Sequence, residues 1–205
     1  NVTLVAANSG GSDTLTKTDY ITVNSPVTGY CVPQYSSGTW LGAYINGVSL
    51  GDISNLNSGG TSAPTYSYWS NSMTDLDAGS SYSMTVQGGS STSFYRFAVW
   101  IDYNRNGIFE SSERVGERQA STNFETMTYN FTVPTTALPG ITRMRVRCSN
   151  SGINMDPCSS FSFGEAEDYN VNILPPNTPP VANFTANPTM INPGDTVPVS
   201  YTHLR

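Results

Sequence analysis

The chain has 205 residues, enough for one large β domain or two smaller ones, and only 12% of them are charged, about half the usual share of roughly 25%. Ser, Thr, Asn and Gly fill the difference, a composition that favours short half-buried strands joined by polar turns and disfavours helices. Nine basic residues stand against fifteen acidic ones for a net charge of −6, which argues against nucleic acid or an anionic membrane as a partner, and no apolar run approaches the roughly 20 residues that span a bilayer.

In chain order, period-two apolar patterning predicts strands at Val2–Ala6, Asp19–Val23, Ser81–Val86, Phe94–Ile101, Met127–Val133, Arg143–Cys148 and Tyr169–Ile173. Clusters of Gly, Pro, Asn and Ser separate them. The nearest helical candidate, Glu110–Gln119, lacks an apolar stripe. Ser25-Pro26-Val27-Thr28-Gly29 reads as a short linker, and Leu174-Pro175-Pro176-Asn177-Thr178-Pro179-Pro180-Val181 as a stiff extended spacer. The chain therefore divides into a fragment over 1–24, a central domain over 28–174, a proline-rich linker over 175–181 and a second fragment over 182–205. It opens inside a strand with no leader and reads as a piece of a longer protein. The expected fold is all-β: an antiparallel β-sandwich of about eight to ten strands, jelly-roll-like or immunoglobulin-like, with incomplete immunoglobulin-like fragments at either end.

The sharpest chemical signal follows the Phe94–Ile101 strand. Asp102, Asn104, Asn106, Glu110 and Glu113 put oxygens at loop positions 1, 3, 5, 9 and 12, with Gly107 at position 6. A tight turn with that spacing can surround a hard dication, and Gly permits its sharp bend. The ligand set would be Asp102, Asn104, Asn106, the Ile108 carbonyl, Glu110 (directly or through water) and Glu113. Two of these side chains are neutral amides, so the expected calcium dissociation constant is modest, about 10⁻⁴–10⁻³ M. The competing reading is an Asx-rich turn that binds nothing. Calcium, acting as a staple between two strands, is the expectation taken forward.

The central region resembles the GEVED family, named for a Gly-Glu-Val-Glu-Asp motif. Here the motif reads Gly164-Glu165-Ala166-Glu167-Asp168-Tyr169, with Ala166 in place of Val. Tyr30-Cys31, Trp100-Ile101-Asp102-Tyr103-Asn104 and Pro157-Cys158-Ser159-Ser160-Phe161 precede it in matching order. The resemblance implies a β-rich accessory module of bacterial secreted and cell-surface proteins, often set beside proteases and sorting domains. The flanks resemble PKD repeats, small immunoglobulin-like sandwiches of extracellular proteins: Val2–Val23 looks like the last hairpin of one and Pro180–Val197 like the start of another. Past Val197 the pattern breaks. Residues 198–205 read as a non-native tail, excluded from the fold reasoning, and they hold the single histidine, His203.

Strand alternation puts Glu165, Glu167, Tyr169, Val171 and Ile173 on one face, with the glutamates at the rim of the core, where an unpaired charge is costly. Arg143, Arg145 and Arg147 alternate with Met144, Val146 and Cys148, giving one basic and one apolar face. Three readings of the acids compete: a structural network with Arg145 or Arg147, extra calcium ligands beside the Asp102 loop, or a catalytic pair. The first is preferred. The last is weakest, because side chains two apart on a strand project in parallel, whereas glycosidase carboxylates oppose each other across the substrate.

Cys148 continues the inward Met144–Val146 register and reads as a buried free thiol. That leaves Cys31 and Cys158, which the family resemblance also pairs, while Cys148–Cys158 remains as a local alternative. Tyr66, Tyr68, Trp69, Tyr82, Trp40 and Tyr44 could make a sugar- or peptide-binding platform, though packing between sheets is the favoured reading. No nucleophile–base arrangement, phosphate loop or zinc spacing is present. The expected protein is therefore a non-catalytic, calcium-stabilised spacer, anchoring or adhesion module of a larger secreted or cell-surface protein. Its partners would be other domains of that parent and a glycan or surface-protein ligand. The alternative is a carbohydrate- or protein-binding module attached to a secreted protease or other hydrolase.

Overall fold

The computed structural model describes residues 2–17, 29–60, 63–90, 95–150, 152–176, 183–186 and 199–202. Residues 1–30 and 31–205 form two compact units. In the first, β1 (Val2–Asn8) pairs antiparallel with β2 (Gly11–Lys17). The Asn8 side chain closes the turn by accepting the Gly10 N–H at 2.8 Å. The expected strand at Asp19–Val23 lies outside the described residues, as does most of the 175–181 linker.

The second unit runs through β3 (Tyr35–Gly38), β4 (Ile45–Leu50), β5 (Ile53–Leu56), β6 (Tyr66–Asp77), β7 (Ser81–Gly88), β8 (Arg96–Ile101), β9 (Arg114–Gln119), β10 (Thr126–Thr132), β11 (Gly140–Ser149) and β12 (Phe161–Leu174). Two sheets result: β10-β7-β4-β5, and β3-β12-β11-β8-β9 with β6 also paired to β12. Their inner faces meet in one core that joins Ile45, Val48, Met84, Val86, Met127 and Tyr129 to Phe97, Val99, Ile101, Met144, Val146, Tyr169, Val171 and Ile173. Each fully buried large side chain of this kind contributes about 1.5–3 kcal/mol. The all-β sandwich read from the sequence is what the chain adopts, with one refinement. β3 and β6 run parallel to β12 and lie in succession along its free edge.

The stretch Glu110–Gln119 holds a single 3₁₀ turn at Ser111–Glu113 and then β9. One further pairing lies near the C-terminus. Within the tail set aside as non-native, β14 (Val199–Thr202) pairs antiparallel with β13 (Asn183–Ala186), because Val199–Thr202 is itself a short β-prone run. Among the described residues, no helix is long and apolar enough to cross a membrane.

Candidate functional site

The acidic signature occupies the centre of β12, and its two faces carry different chemistry. Toward the core, Glu165 and Glu167 are 2% and 3% exposed. A Glu165 oxygen reaches across the sandwich to accept the Ile45 N–H of β4. Glu167 accepts the Trp69 Nε1–H at 3.3 Å and the Tyr169 hydroxyl at 2.6 Å, and Asn55 in turn donates to the Tyr169 oxygen at 2.8 Å. None of these partners is basic. Burial, reinforced by the neighbouring Glu167 charge, pushes the Glu165 carboxyl up to about 9, and burial raises Glu167 as well. Glu165 therefore keeps its proton at neutral pH. The first residue of the motif has its own reason: Gly164 lies at φ +133°, and a side chain there would run into the Cys148 carbonyl oxygen and the Tyr35 ring.

The opposite face carries the arginines. Register sets Trp100, Arg145, Asp168 and Tyr68 in one row across the sheet, and Ala98, Arg147, Ala166 and Tyr66 in the next. Arg145 binds Asp168 in a two-pronged pair, Nε to Oδ1 and Nη2 to Oδ2, both at 2.8 Å. Both residues are fully buried. Arg143 approaches the same carboxylate at 3.5 Å and lies over the Tyr68 ring at 3.8 Å. Arg147, between the two alanines, donates to the Tyr35 hydroxyl (2.7 Å), the Asp156 carbonyl (2.5 Å) and the Ser159 carbonyl (2.8 Å). The expected network between signature and arginines is present, but it runs through Asp168. Glu165 and Glu167 are not its acids, because alternation turns them to the other face.

The loop between β8 and β9 folds upon itself. Asp102, fully buried, accepts the Asn106 N–H at 3.2 Å and the Gly107 N–H at 2.9 Å, with Gly107 at φ +83°. Asn104 and Asn106 accept the N–H groups two residues on, at 3.0 and 2.8 Å, and both donate to Glu110. Glu113 accepts the N–H groups of Tyr103, Asn104 and Glu110. Burial, then the hydrogen bond to Glu110, pushes its carboxyl up to about 7. Glu110 is held below the ordinary range by its hydrogen bonds to Glu113, Asn106 and Asn104. Arg105 turns away to the Pro139 carbonyl at 2.7 Å. The Ile108 side chain is 60% exposed, while Phe109 is buried and stacks on Arg145 at 4.8 Å.

The six expected ligands therefore share one loop, but the side-chain oxygens of Asp102, Asn104, Asn106, Glu110 and Glu113 serve its own N–H groups. Among the described residues, no three His, Cys, Asp or Glu side chains gather as a metal site. Nor does the loop meet the glutamates of the signature. Asp102 continues the outward register of Ala98 and Trp100, across the sheet from the face that holds Glu165 and Glu167. The expectation that those acids complete a calcium shell is thereby corrected. What the loop does touch is the arginine face, through Phe109.

Cys31 and Cys158 form a disulfide, and Cys148 is free and buried. Of the six aromatics, Tyr44 is buried, Tyr66 and Tyr82 are half-buried, and Trp40, Tyr68 and Trp69 are exposed. Tyr68 and Trp69 are neighbours on β6, one stacked on Arg143 and the other donating its indole N–H to Glu167, so they share no platform. Sequence reasoning missed Glu117, which accepts from Arg96, Arg114 and the Asn154 and Met155 N–H groups. It grouped Tyr66 with the aromatics and missed its partner, Asp168, to which the hydroxyl donates at 2.9 Å. The Arg114–Glu117 spacing was the one local hint of the former.

No curated protein matches the chain. Among solved structures, a family 123 glycoside hydrolase from Clostridium perfringens is similar at 14% identity and a TM-score of 0.32, over 55% of this chain and 24% of that one. The chain spans about a quarter of that enzyme, a likeness too slight to bear on activity. The family comparison falls on the region just described: residues 96–172, holding the loop, the arginine strand and the acidic signature, match the GEVED domain.

Proposed function

We propose that this chain is a non-catalytic accessory module of a larger secreted or cell-surface protein, a spacer or anchor whose signature motif holds the sandwich together. One observation carries this reading. Every acid of the motif is consumed internally, Asp168 by Arg145 and the glutamates by Ile45, Trp69 and Tyr169, which leaves no carboxylate of the motif poised toward a substrate. The disulfide supports an oxidising, extracellular setting. PKD-like repeats at either end and a bacterial parent belong to the same proposal.

Calcium belongs to it too, at loop 102–113. The donor chemistry fits a hard cation: Asp102, Glu110 and Glu113 with two amide oxygens, and Arg105 turned away from them. Ion binding would require Asn104 and Asn106 to release Glu110. Titration calorimetry with calcium, and melting with and without a chelator, test this. A melting temperature raised by calcium and lost on Asp102→Asn supports the staple; no heat and no shift removes it.

A second reading, a carbohydrate- or protein-binding module, is favoured by exposed Tyr68 stacked on Arg143, whose carbonyl accepts the Asp102 N–H at 3.0 Å. A glycan array separates the two readings, since binding abolished by Tyr68→Ala would establish the second.

A further inference from the structure

The Cys31–Cys158 disulfide joins residues 127 positions apart, and its two sulfurs have unlike surroundings. Cys158 is exposed, on a turn whose Cys158 and Ser159 N–H groups donate to Asp156 Oδ1 at 2.7 and 2.6 Å. Cys31 is half-buried, with Arg145 Nη1 at 3.0 Å from its Sγ. The same guanidinium holds the Pro157 carbonyl at 3.0 Å and the Cys31 carbonyl at 2.7 Å, so it cannot swing away without breaking the turn.

The local charge is unbalanced. Three arginines share this face of β11; Asp168 pairs with Arg143 and Arg145, and the Asp156 carboxylate lies within electrostatic reach of Arg147. Asp156 offers Arg147 its carbonyl and turns its carboxylate to the Cys158 side. The rings that pack on these guanidiniums, those of Tyr35, Tyr66, Tyr68, Phe109 and Phe161, are uncharged. Negative charge on Cys31 would meet the Arg145 guanidinium, 3.0 Å from its Sγ, whereas on Cys158 it would lie beside the Asp156 carboxylate. In thiol–disulfide exchange the accessible sulfur is attacked, and the sulfur whose thiolate is better stabilised leaves.

We propose that this bridge is a polarised exchange site for low-molecular-weight thiols, attacked at Cys158 with Cys31 as the leaving group. An external thiolate forms a bond to Cys158 Sγ as the Cys31–Cys158 bond breaks. The electron pair passes to Cys31 Sγ, now a thiolate beside Arg145. One disulfide replaces another, so no outside oxidant or reductant is needed. The reverse attack by Cys31 expels the thiol and restores the bridge.

The test treats the native protein with glutathione near neutral pH, traps free thiols by alkylation and maps both adducts by mass spectrometry. Glutathione should appear on Cys158 with Cys31 alkylated, in about ten-fold excess over the opposite pattern, with Cys148 untouched. Equal labelling, glutathione on Cys31, or no adduct before circular dichroism reports unfolding would overturn the proposal. A second measurement uses Cys158→Ser, in which Cys31 is the free thiol beside Arg145. Its thiolate absorbance should titrate about one pH unit or more below that of glutathione; a midpoint at or above glutathione's overturns it equally.

Discussion

Replacing Glu165 by Gln should stabilise the protein above neutral pH, contrary to what loss of a motif residue would suggest. Glu165 is 2% exposed, and its carboxyl is pushed from an ordinary 4.5 up to about 9. A carboxyl raised in the folded state contributes its full stability below the unfolded value and loses it as pH climbs toward the folded one. At about 1.4 kcal/mol per pH unit, that loss has a ceiling of about 6 kcal/mol by pH 9, with about 3 kcal/mol of it gone by pH 7. The glutamine side chain in Glu165→Gln cannot ionise. Its carbonyl still accepts the Ile45 N–H, and its amide can donate toward Glu167, so the fold keeps the contact without the proton dependence. Melting both proteins from about pH 5 to about pH 9 reads the difference. The parent should lose stability steadily across the range. The variant should be flatter and melt higher at the alkaline end, with a ceiling of about 12–24 °C at about 2–4 °C per kcal/mol. A variant that melts below the parent at high pH, with the parent flat, would refute the reasoning. That outcome would mean the two glutamates are ionised and held by a cation.

Three further outcomes follow from the same packing. Gly164→Ala meets a φ of +133° and a carbonyl wall at Cys148; urea denaturation should show a loss of about 3 kcal/mol or more. Asp168→Asn strips the carboxylate from fully buried Arg145 and should cost about 3–5 kcal/mol by the same assay, a loss that Asp75→Asn on the exposed side of β6 should not reproduce. Replacing Cys31 and Cys158 together by Ser removes a bridge across 127 positions. In the chain-entropy model that is worth about 5 kcal/mol, seen as a lower melting temperature in the variant and in the parent after reduction.

What the sequence revealed and what it concealed separate along one physical line. The facing of Glu165, Glu167, Tyr169, Val171 and Ile173 was readable because alternation is a local property of a strand. So was the two-faced character of Arg143–Cys148. The partner of Arg145 was not readable, because it depends on β11 and β12 aligning Arg145 with Asp168 rather than with Glu167 one place earlier, and register is a property of two strands. β6 escaped notice for a related reason. Its pairing with β12 jumps from Trp69 to Met73, so Ser70-Asn71-Ser72 interrupts the alternation. Its aromatics then looked like a possible platform, when Tyr66 and Trp69 in fact reach Asp168 and Glu167. The loop showed its oxygens plainly in the sequence. Its internal hydrogen bonds needed the backbone path.

The order of acids in the signature follows from this division. β12 separates two electrostatic imbalances: buried carboxyls without a base on the core side, and buried guanidiniums in excess of carboxylate on the outer side. Each is met by the matching polar groups. N–H and O–H donors from Ile45, Trp69 and Tyr169 serve the glutamates. Carbonyl acceptors from Cys31, Asp156, Pro157 and Ser159 serve Arg145 and Arg147. Asp168 alone crosses from the acidic motif to the basic face, because it follows Glu167 by one residue and alternation sends it outward. Glu-Ala-Glu-Asp is thus a sequence of faces as much as of charges. Ala166, between the two glutamates on the outer side, is small where the Arg147 guanidinium must pass. A one-residue slip of β12 would put two carboxyls among the arginines and leave Asp168 in the core, so the motif fixes the register of the strand that carries it.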